Sequence, residues 1–323
     1  MSATWLYEDG IGEARAALVA GGRIIRARIE PDDAGPRVGA VLAGVLTEAG
    51  RHPRVTLATG DAVMLNTLPP GISTGRPLLV EIVRERLQEG RRVKLPRAVV
   101  AAAGATPGAG PSLWDRISAS GVPVRRLLAH EPDALEAAGW SEVLEEAVSG
   151  DIAFPGGVLR TALTPAMTLF DVDGDDPADA LALAAASAVA AAIIRHGIGG
   201  SIGVDFPTVS TRAARMAIDA AVDAAMTAGE AGAFERTAVN GFGFLQIIRP
   251  RPRASLPESL AAHPDAAAAR AALRRLEREP PPGPATRPVP TGVARWLKDV
   301  RRDWVADLNR RTGNSAPITD MGG

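Results

Sequence analysis

Alternating apolar and polar positions dominate the first hundred residues. Residues 12–30 contain two β-rich runs around Gly21 and Gly22, which predicts a β-hairpin. Glycine-punctuated apolar runs then recur at the close spacing typical of a small antiparallel barrel or sheet. The predicted strands are 38–46, 54–57, 62–68, 77–83 and 92–95. Alanine, glycine and proline fill 99–120, so this stretch is expected to be a connection with little core of its own.

The pattern changes to alternating helices and strands after residue 133. A helical pattern covers 133–148. The predicted elements beyond it are strands 158–163 and 166–171, a helix 177–196, a strand 201–206, a helix 211–228 and a strand pair within 236–249. This order indicates an α/β layer with carboxylates at its strand ends. A short helix over 265–277 and a stiff proline-rich linker over 280–284 are expected to follow.

The last helix that the pattern predicts spans 293–311. Apolar residues recur on one of its faces, which should therefore pack on the body of the protein. These residues are Val293, Trp296, Leu297, Val300, Trp304 and Leu308.

The amino-acid composition limits the kinds of functional site that the protein can contain. The 323 residues are 46% hydrophobic, enough for a sizeable core and about two domains. The absence of cysteine excludes disulfides, thiolate zinc sites and cysteine nucleophiles. The N-terminus has no basic region followed by an apolar stretch, and the longest apolar run, 182–194, is short for a bilayer span. A cytoplasmic protein without a membrane partner is expected.

Charge is balanced overall but uneven along the chain. The net charge of −1 argues against bulk polyanion binding. Basic residues cluster at 91–94, at 249–253 and within 301–311. A solvated surface explains each cluster taken singly, and a local phosphate contact is the alternative.

Carboxylates follow two apolar runs and suggest a metal site. Asp171 and Asp173 lie two residues apart at one predicted strand end, so they should point to the same side. Asp205 stands in the next predicted strand, where an unpaired carboxylate is costly unless a cation or donor meets it. Few hard oxygen ligands with open positions suit Mg²⁺ or Mn²⁺ against a phosphate. The pattern therefore predicts phosphate chemistry.

The neighbouring acidic residues are expected to be structural. Asp176, Pro177 and Asp179 are typical of a helix start, with an N-cap, a proline at the first helical position and an acidic first turn. Asp175 fits either a structural or a metal-binding role.

Two other metal or phosphate motifs compete for this loop. An EF-hand fails, because it requires glycine where Asp176 stands and glutamate where Ala182 stands. Residues 169–174 resemble the first motif of the haloacid-dehalogenase phosphatases, with Asp171 as the phosphorylated nucleophile. Asp175 replaces the threonine of that motif, and no later Gly-Asp-x-x-x-Asp element is present. This phosphatase is kept as an alternative.

A series of segments resembles the ribonuclease E/G family. The segments are 156–173, 199–206, 237–242 and 249–253, in the family's order and spacing, and 12–30 is similar to the family's start. The resemblance covers most of the chain and is closest over 156–256. It implies a multi-part α/β (α+β) fold, with an N-terminal β-rich, OB-like RNA-binding part before a DNase I-like or RNase H-like catalytic part.

The resemblance also implies domain boundaries. A hairpin in 1–35 would pack on the catalytic body, 36–97 would be a reduced OB-fold-like domain, and 98–150 a shortened connection with a helix. The catalytic domain would span 151–258, and C-terminal helices with the linker would fill 259–323.

The implied activity is a Mg²⁺- or Mn²⁺-dependent endoribonuclease that cleaves single-stranded RNA in RNA processing or decay. Asp171, Asp205 and Asp173 would hold the cation, the last standing where the family usually has asparagine. Metal-activated water would leave a 5′-phosphate and a 3′-hydroxyl. The implied RNA-binding residues are Arg249, Arg251, Arg253, Arg195 and Asn240.

Departures from the family are expected to weaken activity. The family's helix between the two aspartates carries polar substrate-facing residues, whereas 182–194 is mostly alanine. A slow nuclease, or an RNA-binding protein of the same fold without turnover, would result. The 5′-sensor domain and the zinc-link cysteines are missing, so a homodimer fits the sequence and a zinc-linked tetramer does not.

Overall fold

The computed structural model describes residues 3–90, 92–280 and 283–321. Its strands, numbered in chain order, are β1 (Thr4–Asp9), β2 (Glu13–Ala20), β3 (Arg23–Pro31), β4 (Val41–Glu48), β5 (Arg54–Leu57), β6 (Ala62–Leu65), β7 (Pro77–Arg84), β8 (Leu87–Glu89), β9 (Arg92–Lys94), β10 (Arg97–Val100), β11 (Val124–Arg126), β12 (Asp151–Phe154), β13 (Gly157–Leu163), β14 (Thr168–Asp173), β15 (Gly200–Asp205), β16 (Glu235–Arg236), β17 (Phe244–Arg249), β18 (Arg287–Val289) and β19 (Ile318–Asp320). Its helices are α1 (Leu113–Ser118), α2 (Ala134–Ala137), α3 (Trp140–Ser149), α4 (Ala178–His196), α5 (Arg212–Ala228), α6 (Leu256–Ala262), α7 (Pro264–Glu277), α8 (Thr291–Asp299) and α9 (Arg302–Thr312). Arg91 of the first basic cluster, and Pro281 and Pro282 of the predicted linker, lie outside these described residues.

The first sheet has the strand order β11-β1-β2-β3. β1, β2 and β3 form an antiparallel meander, and β11 joins the edge of β1 in parallel. The predicted hairpin is confirmed: Gly21 and Gly22 connect β2 to β3 with φ angles of 59° and 76°. Backbone at positive φ favours glycine, which explains the pair at this turn.

A closed five-stranded barrel interrupts the chain between β3 and α1. Its strands pair in the order β10-β6-β5-β4-β7, and β10 closes the barrel by pairing with β7. The predicted barrel is therefore present, with two corrections. β6 and β10 run parallel, and the predicted strand 92–95 lies outside the barrel, where β9 pairs with β8.

The stretch from 99 to 120 contributes more than a connection, so that prediction was wrong. Its first residues belong to β10, which supplies the fully buried Ala98 to the barrel core. A capping box between Ser112 and Asp115 starts α1, whose Leu113 and Ile117 are buried against the first sheet. Because the stretch is rich in alanine and glycine, its sequence did not predict this short helix.

The largest sheet is mixed, with the order β12-β13-β14-β15-β17-β16. β14 and β15 are parallel neighbours joined by α4, and the other pairs in the sheet are antiparallel. Helices α4 and α5 cover one face, where Phe170, Val204 and Ile247 are fully buried. The predicted alternation of strands and helices is confirmed for this part of the chain.

Helix α4 starts one residue later than predicted. Pro177 is the N-cap, and no side chain caps the helix, so the predicted N-cap role of Asp176 was wrong. Asp179 lies in the first turn, as expected. By length and composition α4 could cross a membrane, but its apolar residues are part of the core between α5 and the sheet.

The end of α4 contains a buried histidine. His196 is 2% exposed, and its Nε2 lies 3.3 Å from Oε2 of Glu146. Burial lowers the pKa of His196, and the contact with Glu146 only partly opposes this effect. The imidazole is therefore neutral in the folded protein at neutral pH.

We expect His196 to reduce stability in acid. The pKa of His196 is lower in the folded than in the unfolded state. Its contribution to the free energy of unfolding is therefore present above the unfolded-state pKa of about 6.5 and is lost as the pH falls through the folded-state pKa. The unfolding temperature of His196→Gln should therefore fall less steeply than that of the wild type between about pH 7 and about pH 5. The exposed His130→Gln is the control, and equal slopes in all three proteins would contradict this expectation.

Two predicted helices are each divided in the structure. The pattern over 133–148 forms α2 and α3, because Gly139 between them has a φ of 94°. The pattern over 293–311 forms α8 and α9 with a break near Arg301. Leu297 and Leu308 pack on α7 as predicted, but Val300 is 57% exposed, so its assignment to the packed face was wrong.

Candidate functional site

Asp171 and Asp205 lie side by side on the largest sheet. They are register partners on the parallel strands β14 and β15, so their Cα atoms are about 4.8 Å apart. Both side chains are exposed, and the alternate residues Phe170 and Val204 are buried under the helices. The two carboxylates therefore share the sheet face that points away from α4 and α5.

Asp173 lies on the same face but has a partner. Its Oδ2 forms an ion pair with Nη1 of Arg160 at 2.6 Å, and Arg160 is the register partner of Asp171 on β13. The Arg160 side chain is 61% exposed. Arg160 was not among the predicted site residues, although it is the one charged residue in the apolar run that follows Gly156 and Gly157.

The predicted metal ligands do not form a complete coordination site. Among the residues that the structure describes, no group of three or more His, Asp or Glu side chains is placed to hold a metal ion. Two adjacent carboxylates are nonetheless hard oxygen ligands of the type that Mg²⁺ takes, and Mg²⁺ usually keeps several waters. The donor chemistry of Asp171 and Asp205 fits such an ion, with water and a substrate oxygen to complete its coordination.

A tight turn beside Asp205 exposes an aromatic ring. Oδ1 of Asn240 accepts from the backbone N–H of Phe242 at 2.8 Å and of Phe244 at 3.1 Å. Phe244 is the register partner of Asp205, and Phe242 is 83% exposed. The Asn240 side chain therefore shapes the turn that exposes Phe242, two residues before the register partner of Asp205.

Helix α5 fixes the start of this turn. Arg236 donates to Asp219 and Asp223 at 2.9 and 2.6 Å, and Oδ1 of Asp219 also accepts from the N–H of Val239 at 3.0 Å. The hydrogen bond from Arg236 lowers the pKa of Asp223. These bonds position the chain that leads into Asn240.

A glycine leaves room for an apolar floor below the carboxylates. A Cβ atom at Gly203 would lie 2.7 Å from Cζ of Phe244 and 2.8 Å from Cδ2 of Leu169. The Phe244 and Leu169 side chains therefore pack directly against the backbone of Gly203 in β15. They form a half-buried apolar surface adjoining Asp171 and Asp205.

The predicted RNA-binding arginines lie at the other end of the sheet. Arg249 pairs with Gly200, whereas Asp205 pairs with Phe244, five residues earlier on β17. At about 3.3 Å per residue, the two ends are about 17 Å apart. Arg195 lies at the last turn of α4, also near the start of β15.

These arginines have partners within the protein. Arg249 donates to the carbonyls of Ile198 and Ala231, and Arg195 contacts Glu146 at 2.8 Å. The other pairs are Arg251 with Glu89 and Glu258, and Arg253 with Glu85. Their contact with RNA stays a prediction, and the structure does not bring them to the carboxylates.

Comparison with known proteins gives no further assignment. No protein-family model matches the chain, and no curated protein matches it.

Proposed function

We propose that the protein is a Mg²⁺-dependent endoribonuclease acting on single-stranded RNA. The observation that carries the proposal is the register pairing of Asp171 with Asp205 on an exposed sheet face. Adjacent carboxylates attract a divalent cation, and a cation at this place would meet any RNA strand laid across the face. The apolar floor and Phe242 suit bases rather than a small polar substrate.

Each side chain at the site has a distinct proposed role. Asp171 and Asp205 would hold the ion, which would supply an activated water and neutralise charge at the phosphate. Arg160 is exposed and contributes positive charge beside the scissile phosphate, while its ion pair orients Asp173. Phe242 and Phe244 support the flanking bases by stacking, which every base permits.

The barrel is proposed to be an OB-like RNA-binding domain. Five closed strands and a parallel pairing between the third and the fifth barrel strand support this assignment. The mixed six-stranded sheet with helices on one face supports a DNase I-like catalytic part. In the first sheet, the parallel pairing of β11 with β1 supports an RNase H-like arrangement beside it.

One observation favours RNA binding without turnover as the second candidate. Helix α4 covers the opposite face of the sheet, so it brings no positive charge beside Asp171 and Asp205, and the neighbouring Arg160 is already paired with Asp173. Positioning groups can account for several kcal/mol of barrier lowering, so their loss slows cleavage. The protein would then bind single strands in a salt-sensitive manner and release no products.

Product analysis tests this function. Purified protein is incubated with a 5′-labelled single-stranded RNA, with a duplex of the same sequence, and with each in EDTA. Cleavage of the single strand in Mg²⁺ alone, leaving 5′-phosphate and 3′-hydroxyl ends, is the expected result. Binding without products under any divalent cation would favour the second candidate. A covalent phosphate trapped on Asp171, with hydrolysis of small phosphate esters, would favour the dehalogenase-type phosphatase.

Removal of the Phe242 ring is expected to weaken RNA binding. Stacking of a base on an aromatic ring contributes about 1–3 kcal/mol, so Phe242→Ala should raise the Kd for single-stranded RNA by about tenfold. Phe242→Trp should bind like the wild type, because it retains a stacking surface. Met216→Ala, which removes another exposed apolar side chain, is the control. Fluorescence anisotropy measures all four affinities, and an unchanged Kd for Phe242→Ala would exclude the stacking role.

A further inference from the structure

A cavity of about 790 Å³ lies between the first sheet, the barrel and the C-terminal helices. Its walls include β3, the turn after α4, residues 249–254 and the α6–α7 junction. The volume is in the range of small-molecule sites. Gly197 and Arg249 place the cavity at the end of β15 opposite to Asp205, so it is separate from the proposed nuclease site.

Two arginines in this cavity bond only to backbone. Arg28 donates to the carbonyl of Ala27 at 2.6 Å and to that of Arg195 at 3.1 Å. Arg249 donates to the carbonyls of Ile198 and Ala231. Among the described residues, neither guanidinium has a carboxylate partner. The Nε of Arg249 is buried and has no hydrogen-bond partner among the described residues.

Most carboxylates of the cavity wall are already paired with other cations. The pairs are Glu30 with Arg37 and Arg116, Asp33 with Arg270 and Arg301, Glu85 with Arg253, and Glu258 with Arg251. Asp265 is exposed in the first turn of α7. The charges of Arg28 and Arg249 are therefore left without local compensation.

The surroundings of Arg28 are correspondingly unfavourable for its charge. Burial, together with the positive charges of Arg26, Arg249, Arg116 and Arg253, lowers the pKa of Arg28 to about 10. The guanidinium remains protonated at neutral pH, so an anion entering the cavity would be attracted to an uncompensated cation.

We propose that this cavity binds a small phosphate-bearing ligand, with the phosphate held between Arg28 and Arg249. Guanidinium groups match phosphate oxygens through paired charge-assisted hydrogen bonds. The apolar part of the wall, which includes Ala27, Leu256 and Trp296, suits the organic part of a mononucleotide. A volume of about 790 Å³ fits such a ligand better than a polynucleotide. This inference is independent of the proposed nuclease activity.

Inorganic phosphate and AMP are the probes, with adenosine as the comparison, at constant ionic strength. We expect phosphate and AMP to raise the unfolding temperature in a saturable manner, because a ligand bound to the native state stabilises it. AMP binding more tightly than phosphate identifies a nucleotide ligand, and equal binding identifies free phosphate as the ligand. Adenosine should not bind.

Variants separate binding from structural effects. Arg28→Gln and Arg249→Gln should each weaken phosphate binding by about tenfold, because each removes a charge-assisted hydrogen bond. Arg26→Gln is the matched control, since Arg26 also lies on β3 and donates to the backbone carbonyls of Gly229 and Glu230 but does not line the cavity. Arg249→Lys keeps the charge if Arg249→Gln fails to fold, and should retain partial binding.

Three results would overturn the inference. They are the lack of a saturable shift with either phosphate or AMP, an equal loss of binding in Arg26→Gln and Arg28→Gln, and Arg28-dependent binding that is seen only with an RNA oligonucleotide.

Discussion

Replacement of Arg15 by methionine is expected to lower the free energy of unfolding by about 3 kcal/mol or more, because it leaves a buried carboxylate without its main partner. Arg15 is 1% exposed and contacts Glu8 at 3.0 Å and Asp133 at 3.1 Å. Its guanidinium also lies 5.2 Å from the ring centroid of Trp140. Among the residues that the structure describes, Glu8, at 5% exposure, would keep only Arg278 as a partner.

Urea unfolding measures this loss against an exposed control. Arg125 pairs with Glu131 at 3.3 Å, and its side chain is 55% exposed. Exposed ion pairs contribute about 0–1 kcal/mol, so Arg125→Met should change the free energy of unfolding little. The network joins β1, β2, α2 and α7, so its disruption should also expose surface between them. Similar losses in the two variants would show that Arg15 does not stabilise this junction.

The second large effect is expected on catalysis. Asp171→Asn and Asp205→Asn should each lower the rate of RNA cleavage by about a thousandfold, since a bound metal ion contributes several kcal/mol and each 1.36 kcal/mol changes the rate tenfold. The double variant should be no slower than the single ones, because groups that act as a unit are not additive. Asp179→Asn in the first turn of α4 is the control and should cleave like the wild type.

The fold of these variants should be retained. Asp171 and Asp205 are exposed, and exposed substitutions away from special features usually change stability by less than about 0.5 kcal/mol. Equal unfolding temperatures for the variants and the wild type, together with lost cleavage, would assign the loss to the site. Cleavage that survives both substitutions would exclude the two aspartates as metal ligands.

Strand and helix positions in the second half could be predicted from the sequence because local patterns determine them. The apolar run before Asp171 forms β14, and the run before Asp205 forms β15. The alanine-rich segment between them forms one helix of 19 residues. The sequence did not predict that the two aspartates are register partners, because strand pairing depends on tertiary contacts.

The predicted RNA-binding arginines show which information local sequence patterns lack. Arg251 and Arg253 suggested a phosphate-binding cluster, but their partners Glu89 and Glu85 are far away in the sequence. Only the fold brings β8 and the end of the barrel against residues 249–254. Sequence spacing cannot distinguish an internal ion pair from a surface that binds phosphate.

Phe242 is an exposed residue of the candidate site that the sequence did not single out. Phe242 stands between two glycines in the segment 237–242 that resembles the ribonuclease E/G family, and a single aromatic residue carries no sequence signal of exposure. The exposure of its ring follows from the turn that Asn240 stabilises beside β17. That turn, together with Asp205 on the neighbouring strand, is the arrangement from which the RNA site is inferred.

The most direct test of the nuclease assignment is a cleavage time course on 5′-labelled single-stranded RNA in Mg²⁺, with wild-type protein and Asp205→Asn prepared identically. The wild type should produce shorter labelled fragments with 3′-hydroxyl ends, and the variant should leave the RNA intact. Equal fragments from both proteins, or intact RNA from both, would contradict the nuclease assignment.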